Sequence, residues 1–445
     1  IDSPDGSKTV DFVYDSHVIL DKGDLNLKTL PSSHGCDDRL VVTLKDRNNG
    51  YVLELSYMVF YDCDVISRSA RLINASDSPI GVGRLLSMQL DLPSLGYEVM
   101  SFTGAWVREM QIETIPIKGG SVVLDSNTGY SSNRCNPFFI LKKEETSEDF
   151  GDCFGINLIY SGNHYMSAEA TPYERTHVVY GISPQGFYWQ LAPQEIFEAP
   201  EAVMAFTHEG LTALSSRMHK FVTGHVINSA WAKKERPILL NSWEANYFKI
   251  NENRLVSLAK KAKDVGIELF VMDDGWFKGR DDDTKALGDW TPDEKKLKGG
   301  LKRLSDRIHA LDLKFGIWVE PEMVSKVSAL YEAHPEWAME IPSKEHSEGR
   351  NQRVLDLSND EVVSYLYETL SHILSSAKIE YVKWDLNRCF SDVYSKTLDP
   401  KRQGETAHRY MIGLYRLLGR LTDAFPDVLF EGCASGGNQI GRAHV

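Results

Sequence analysis

From Arg236 onward the sequence repeats one alternation, a short and almost wholly apolar run followed by a longer amphipathic one. The runs "PILLNSWEA", "IELFVMDDGW", "KFGIWVEPEM", "IEYVKWDLNR" and "DVLFEGCAS" read as strands. Between them, "ENRLVSLAKKAKDVG", "GGLKRLSDRIHALDL", "EVVSYLYETLSHILSSAK" and "HRYMIGLYRLLGRLTDAFP" read as helices. A strand that is apolar on both sides is buried on both faces, and a helix between two such strands returns the chain to lay them parallel. Two architectures satisfy that pattern, a doubly wound sheet and a (β/α)8 barrel. No G-x-G-x-x-G opens any of these helices, which weakens the dinucleotide-binding form of the first.

The first half follows another rule. Short alternating runs such as "RLVVTLKD", "YVLELSYMVFYD" and "GFYWQLAP", separated by Asp-Ser, Asn-Asn-Gly and Ser-Pro turns, predict a large antiparallel β-sandwich over residues 1–207. In "EGLTALSSRMHKFVTGHVI" the apolar residues recur at helical spacing, so a helix is expected from Glu209 to about Val226, within a helical linker at 208–235. The expectation is thus a multidomain β plus α/β chain, with a barrel at 236–439 that carries its first five or so strands. The start of the sandwich is expected to be missing. Residues 440–445, "IGRAHV", match one reading frame of a common sequencing adapter and are set aside as an artefact.

Composition excludes several partners. Among 445 residues, 42% are hydrophobic and 25% charged, and the formal net charge of −14 argues against nucleic acid or an acidic membrane surface. Six cysteines without a C-x-x-C pair signal neither a zinc site nor a disulfide framework, so a reducing cytoplasm is expected. No apolar run reaches the ~18 residues of a membrane span. The start lacks the basic-then-apolar profile of a secretion signal, and the chain is expected to begin inside a longer protein.

Each strand of the second half turns polar at its C-terminal end: Asn241, Trp243 and Glu244; Asp273, Asp274 and Trp276; Trp318, Glu320 and Glu322; Lys383, Asp385, Asn387 and Arg388; Glu431 and Cys433. In a parallel barrel all those ends meet on one face, where barrel enzymes place their chemistry. Side chains two apart on a strand point the same way, about 6.6 Å apart. Tyr381, Lys383 and Asp385 therefore share one face, and Val382 and Trp384 take the other. A cation at Lys383, with Arg388 near, favours an ionised Asp385. The same count puts Trp318 beside Glu320 and Asn241 beside Trp243. Carboxylates, cations and indoles in one mouth suit a sugar, whose hydroxyls need acceptors and whose C–H face needs an apolar wall. Asp273, Asp274, Glu320, Glu322, Asp385 and Glu431 all remain candidates for the two carboxyls, which a retaining glycosidase holds about 5 Å apart. Asp281, Asp282 and Asp283 read as a solvated loop, because consecutive side chains do not converge on a metal. His34, His208, His219 and His408 show no ligand spacing.

At these residues the sequence resembles the α-galactosidases of glycoside hydrolase family 36. The matching blocks are "NSWEANYF", "FVMDDGWFKGRDDDTKALGDW", "GIWVEPEMVS", "RNQRVLDLS", "YVKWDLNR" and "FEGCASGGN", in the family's order. Upstream, "VISRSARLIN", "YSSNRCNPF" and "FYWQLAPQEIFEAPEAV" resemble its N-terminal sandwich. The resemblance implies an N-terminal β-sandwich followed by a (β/α)8 TIM barrel, and a retaining, exo-acting enzyme that removes terminal α-linked galactose from raffinose, stachyose or melibiose. It implies that Asp385 is the nucleophile and that Asp273 and Asp274 hold the galactose 4- and 6-hydroxyls. Lys383 and Arg350 would bind further hydroxyls, with Asn387 among the binding residues. Trp243 and Trp318 would wall the pocket, and Cys433 and Gly436 would line its floor. No metal or cofactor is implied, the partner is a small oligosaccharide, and the full-length protein would be a homotetramer. The family's acid/base Asp, in a W-x-S-D motif about twenty residues past the glycine turn, would lie beyond the chain end. Glu320, Glu322 and Glu431 are expected to orient Lys383 or Arg350. Galactosyl transfer, α-N-acetylgalactosaminidase activity and an inactive sugar-binding fragment are the alternatives.

Overall fold

The computed structural model describes residues 1–105, 108–132 and 134–433, so Gly436 and the segment 440–445 lie outside the described residues. By its contacts the chain divides into two compact units. Among the described residues, one is Ile1–Asn228 with Asp399–His408, and the other is Ser229–Leu398 with residues 409–433.

The first unit is antiparallel. Its main sheet has ten strands, running in space from Phe12–Asp21 through Asp38–Asp46, Tyr51–Phe60, Val65–Asn74, Glu201–Thr207, Cys153–Ile159, Phe139–Lys143 and Tyr97–Ala105 to Arg108–Pro116, with Ile196–Glu198 pairing beside Val65–Asn74. A second sheet orders Leu86–Leu92, Thr176–Ile182, His164–Ala170 and Ser121–Ser126. Alternation decides which face is covered: in the strand "HYMSAEA", His164, Met166 and Ala168 are buried while the residues between them are half-buried. The expected helix runs Gly210–Phe221 and buries Leu214, Met218 and Phe221 against Cys153–Ile159 and Glu201–Thr207. Gly155 makes that contact: a Cβ there would sit 3.2 Å from the Leu214 methyls, so the bare backbone admits the leucine.

The second unit is built on five parallel strands, β1 (Leu239–Asn241), β2 (Leu269–Met272), β3 (Lys314–Val319), β4 (Tyr381–Trp384) and β5 (Leu429–Gly432). They lie in space in the same order as in sequence. A helix fills each crossover: α1 (Glu252–Asp264), α2 (Gly300–His309), α3 (Asp360–Ser376) and α4 (Thr406–Ala424). A doubly wound sheet must reverse its strand order at a switch point, and this one never does. The five strands are therefore the β/α repeats of a barrel, which resolves the choice the periodicity left open.

Strand alternation sets the core. Leu239, Leu269, Val271, Tyr381 and Leu429 pack with Trp231 into one buried cluster. The intervening Ile317, Val319, Val382, Trp384 and Phe430 meet Leu370, Ile373 and Leu374 of α3 and Leu421 of α4. Each such burial contributes about 1.5–3 kcal/mol relative to exposure. Gly316 lets two strands share the interior, since a Cβ there would fall 2.8 Å from the Tyr381 ring. Two of the helices begin at side-chain caps: Asn251 accepts from Arg254 N at α1, and Asn359 from Glu361 N at α3.

Two strands stop earlier than their apolar runs predict. Asn241 Oδ1 accepts from Trp243 N at 2.8 Å, and this local turn diverts the backbone, so Trp243–Asn246 form a helical turn instead of strand. After β3 the chain leaves the sheet at Val319, and Met323–Val324 pair antiparallel with Arg353–Val354 in a ribbon that the sequence pattern does not announce.

Candidate active site

The polar groups sit one step past the ends of the strands. Ser242, Asp273, Glu320, Asp385 and Cys433 are each the first residue after their strand, so the parallel ladder delivers them to one end of the sheet. The ladder continues briefly beyond the strands: Asp385 N donates to Val319 O at 2.8 Å and Cys433 N to Trp384 O at 2.6 Å.

Asp273 is the hub on the β2 side. Its Oδ2 accepts from Asn241 Nδ2 at 2.6 Å and from Lys383 Nζ at 2.8 Å. Its Oδ1 accepts from Asp274 N, and its own N–H donates to Ser242 Oγ. Burial alone would pull the Lys383 ammonium down. The charge of Asp273, joined by Cys433 and Asp385, outweighs burial and holds it above its ordinary range. Asp274 is gripped in a fork by Arg280, whose Nε lies 3.0 Å from Oδ1 and whose Nη2 lies 2.9 Å from Oδ2. Burial nonetheless raises the Asp274 carboxyl, because the guanidinium only partly offsets desolvation.

Asp385 is 7% exposed and held at one oxygen. Oδ2 accepts from Trp318 Nε1 at 3.0 Å and from Asn387 Nδ2 at 2.7 Å, while Oδ1 accepts only the Leu386 N–H among the described residues. Asp273, Lys383, Asp385, Asn387 and Trp318 are thus joined or adjacent, with Asp274 next to Asp273 and Cys433 electrostatically coupled to Lys383.

Other expectations are corrected. Trp318 is 2% exposed, so its indole serves Asp385 through its N–H and offers little open wall. Trp243 is half-buried and packs edge-on against Tyr247 and Phe248. Arg350 is exposed on a turn at φ 56°, and its side chain forms no hydrogen bond with this group among the described residues. Arg388 turns to the carbonyls of Gln352 and Ser347 and to Ser391 Oγ, not to Asp385 as its proximity in sequence implied. The three glutamates do not orient Lys383 or Arg350. Glu320 accepts from Asn387 N and Gln352 Nε2, Glu322 from Trp384 Nε1 and Tyr410 Oη, and Glu431 from Tyr381 Oη. Burial pushes Glu320 up to about 8, with the Asp385 charge adding to it, and Glu322 up to about 7.

The sequence analysis names no role for Arg280, which is buried at 1% exposure and stands before the acidic run in "FVMDDGWFKGRDDDTKALGDW". A single arginine between a glycine and an acidic loop was the available signal, and a buried guanidinium needs a carboxylate partner. The acidic run itself is a loop: Asp281 pairs with Lys296 at 3.0 Å and Asp282 caps Thr284. Elsewhere Asp62, Cys63 and His225 bring three ligand-type atoms within 4.8 Å of one another. There His225 Nε2 lies 2.9 Å from Asp62 Oδ1, and the Lys220 ammonium lies 3.6 Å from the same carboxylate.

Parallel strand ends that gather carboxylates, an amine and an indole form a polar cluster at the end of the sheet where barrel enzymes place their chemistry. The Melibiase family model matches residues 196–443, and that of the glycosyl hydrolase family 36 N-terminal domain matches residues 1–192. The chain belongs to glycosyl hydrolase family 36. It is 42% identical over 439 residues to alpha-galactosidase AgaA of Geobacillus stearothermophilus, covering 98% of this chain and 60% of that protein. To alpha-galactosidase Mel36A of Lactobacillus acidophilus it is 40% identical, over 99% of this chain and 61% of that one. The crystal structure of an AgaA variant with stachyose superposes with a TM-score of 0.97 at 40% identity, over 100% of this chain and 62% of the other. An AgaA variant with raffinose gives the same TM-score at 41% identity, over 99% and 62%. The chain therefore spans about 60% of the length of the curated relatives it matches.

Proposed function

We propose that this chain carries the galactose-binding and nucleophilic half of a retaining, exo-acting α-galactosidase that hydrolyses terminal α-linked galactose from raffinose, stachyose and melibiose. The observation that carries the reading is the asymmetric hold on Asp385. Trp318 and Asn387 both pin Oδ2, which leaves Oδ1 the oxygen with an uncommitted lone pair to attack the anomeric carbon. As the Asp385 ester forms, the glycosidic bond breaks and its oxygen leaves with the proton of the general acid; water then hydrolyses the ester, and two inversions give net retention. Asp273 and Asp274, the latter fixed by Arg280, accept from the 4- and 6-hydroxyls, and Lys383 donates to a further ring hydroxyl. Trp243 walls the sugar's apolar side, and Cys433 lines the floor beside Lys383. The general acid/base is assigned to no residue of this chain. The protein works without a cofactor, in the cytoplasm, as a tetramer. No helix among the described residues is long and apolar enough to cross a membrane.

Expressed at the length of its relatives, the protein should release nitrophenol from an α-galactoside, and Asp385→Ala should abolish that release. NMR of the first-formed sugar should show α-galactose. Equal activity in Asp385→Ala, or β-galactose as first product, overturns the assignment.

A further inference from the structure

One of the two side chains that hold Asp385 Oδ2, Asn387, is itself anchored on a buried carboxyl. Glu320, fully enclosed at the end of β3, accepts from the Asn387 N–H at 2.8 Å through Oε1, and the Asn387 amide in turn donates to Asp385 Oδ2. Through Oε2 it meets Gln352 Nε2 at 2.8 Å, and the Gln352 carbonyl accepts from Arg388. One carboxyl thus ties the backbone that carries Asp385 to the segment that carries Arg350. We infer that Glu320 is the positioning residue of the site, setting the aim of Asp385 through Asn387 and coupling it to the Gln352 segment by a hydrogen bond that reverses with its protonation. The inference rests on the α-galactosidase reading above.

A second observation gives the reversal its physical basis. Gln352 Oε1 is buried and has no hydrogen-bond partner among the described residues, although the other end of the same amide is engaged. An ionised Glu320 can only accept, so it takes Nε2. A protonated Glu320 has an O–H to give, and a half-turn of the amide brings the stranded Oε1 to receive it. The two arrangements occupy the same space and differ by one proton. The charged groups facing Glu320 are Asp385 and Asp274, which favour the protonated form, and Arg280, which opposes it; burial, the largest influence, favours it too. Losing the proton places a second negative charge against Asp385 and turns the Gln352 amide, and both disturb the aim of the nucleophile. A shift of about 1 Å at a reacting atom can cost 100-fold in rate.

The test is the pH dependence of kcat and KM on nitrophenyl α-galactoside for the protein at the length of its relatives, with Glu320→Gln, Glu320→Ala and Asp385→Ala. Glu320→Gln mimics the protonated group. It should keep kcat within about threefold at pH 6 and move the alkaline fall of kcat, expected near pH 8 in the unaltered protein, upward by about one unit or more. Glu320→Ala should lower kcat about 100-fold with KM nearly unchanged. Infrared difference spectra between acid and alkaline pH should show a protonated-carboxyl C=O stretch that Glu320→Gln removes, a readout that needs no turnover and serves if the alanine variant does not fold. An unmoved alkaline fall in Glu320→Gln, or no change in the infrared band, overturns the inference while inactivity of Asp385→Ala keeps the activity reading. Full activity of Asp385→Ala overturns that reading instead.

Discussion

The Trp318 indole is an apolar group used for its one polar atom. Its ring is enclosed by Trp290 at 6.2 Å between centroids, and its N–H points at Asp385. A hydrogen bond to a charged acceptor contributes about 1.5–3 kcal/mol, so Trp318→Phe should reduce kcat roughly 10- to 100-fold while the fold survives, as near-UV circular dichroism would check. Lys383 presents the opposite case. Removing its charge with Lys383→Met leaves the buried Asp273 carboxylate with only neutral donors, Asn241 and the Asp274 N–H, and breaking a buried pair costs about 3–5 kcal/mol. That variant should lose both thermal stability and substrate affinity, measured by melting temperature and KM. At this scale the sequence is informative about which residues matter. Alternation places Lys383 and Asp385 on one face, and the lone arginine before the acidic loop marks Arg280, but which carboxylate it claims is not encoded, because a six-residue separation in a loop does not fix which way two side chains turn.

At the scale of elements, the apolar runs locate all five parallel strands and the helices between them, and overestimate strand length wherever a side chain can intercept the backbone. Asn241 ends β1 in this way, and β3 ends where Glu320 turns inward. The Met323–Val324 ribbon with Arg353–Val354 stays hidden because its pairing spans about thirty residues and two-residue strands carry no period. Gly316 shows what an element demands of a single position. Gly316→Ala would drive a methyl into the Tyr381 ring, and overpacking of this kind costs about 1–3 kcal/mol. A lowered midpoint of urea unfolding with an unchanged slope would confirm that cost.

For the molecule as a whole, the change of grammar near Arg236 separates antiparallel from parallel architecture in the sequence alone, since periods of 2 and 3.6 differ in every window. The choice between barrel and doubly wound sheet needs the spatial order of the strands, which no local pattern contains. Stability should also carry a global pH signature. Glu320 and Glu322 hold their protons up to about 8 and about 7 in the fold, well above the ordinary glutamate value of 4.5. The folded state therefore binds more protons than the unfolded one between those limits, and stability should decline as pH rises from about 4.5 to 8. Melting temperatures across that range should fall, and Glu320→Gln should flatten the decline. A flat profile in the unaltered protein would contradict the burial of both groups.

Because Asp273, Glu320, Asp385 and Cys433 all stand just outside the hydrogen-bonded strands, the boundary between scaffold and chemistry in this protein is a single peptide unit wide. A mutational library confined to the last residue inside β2, β3, β4 and β5 (Met272, Val319, Trp384, Gly432) should yield variants that differ in robustness. One confined to the loops a few residues beyond should yield variants that differ in which sugars they prefer, so laboratory evolution could reshape selectivity while leaving foldability untouched.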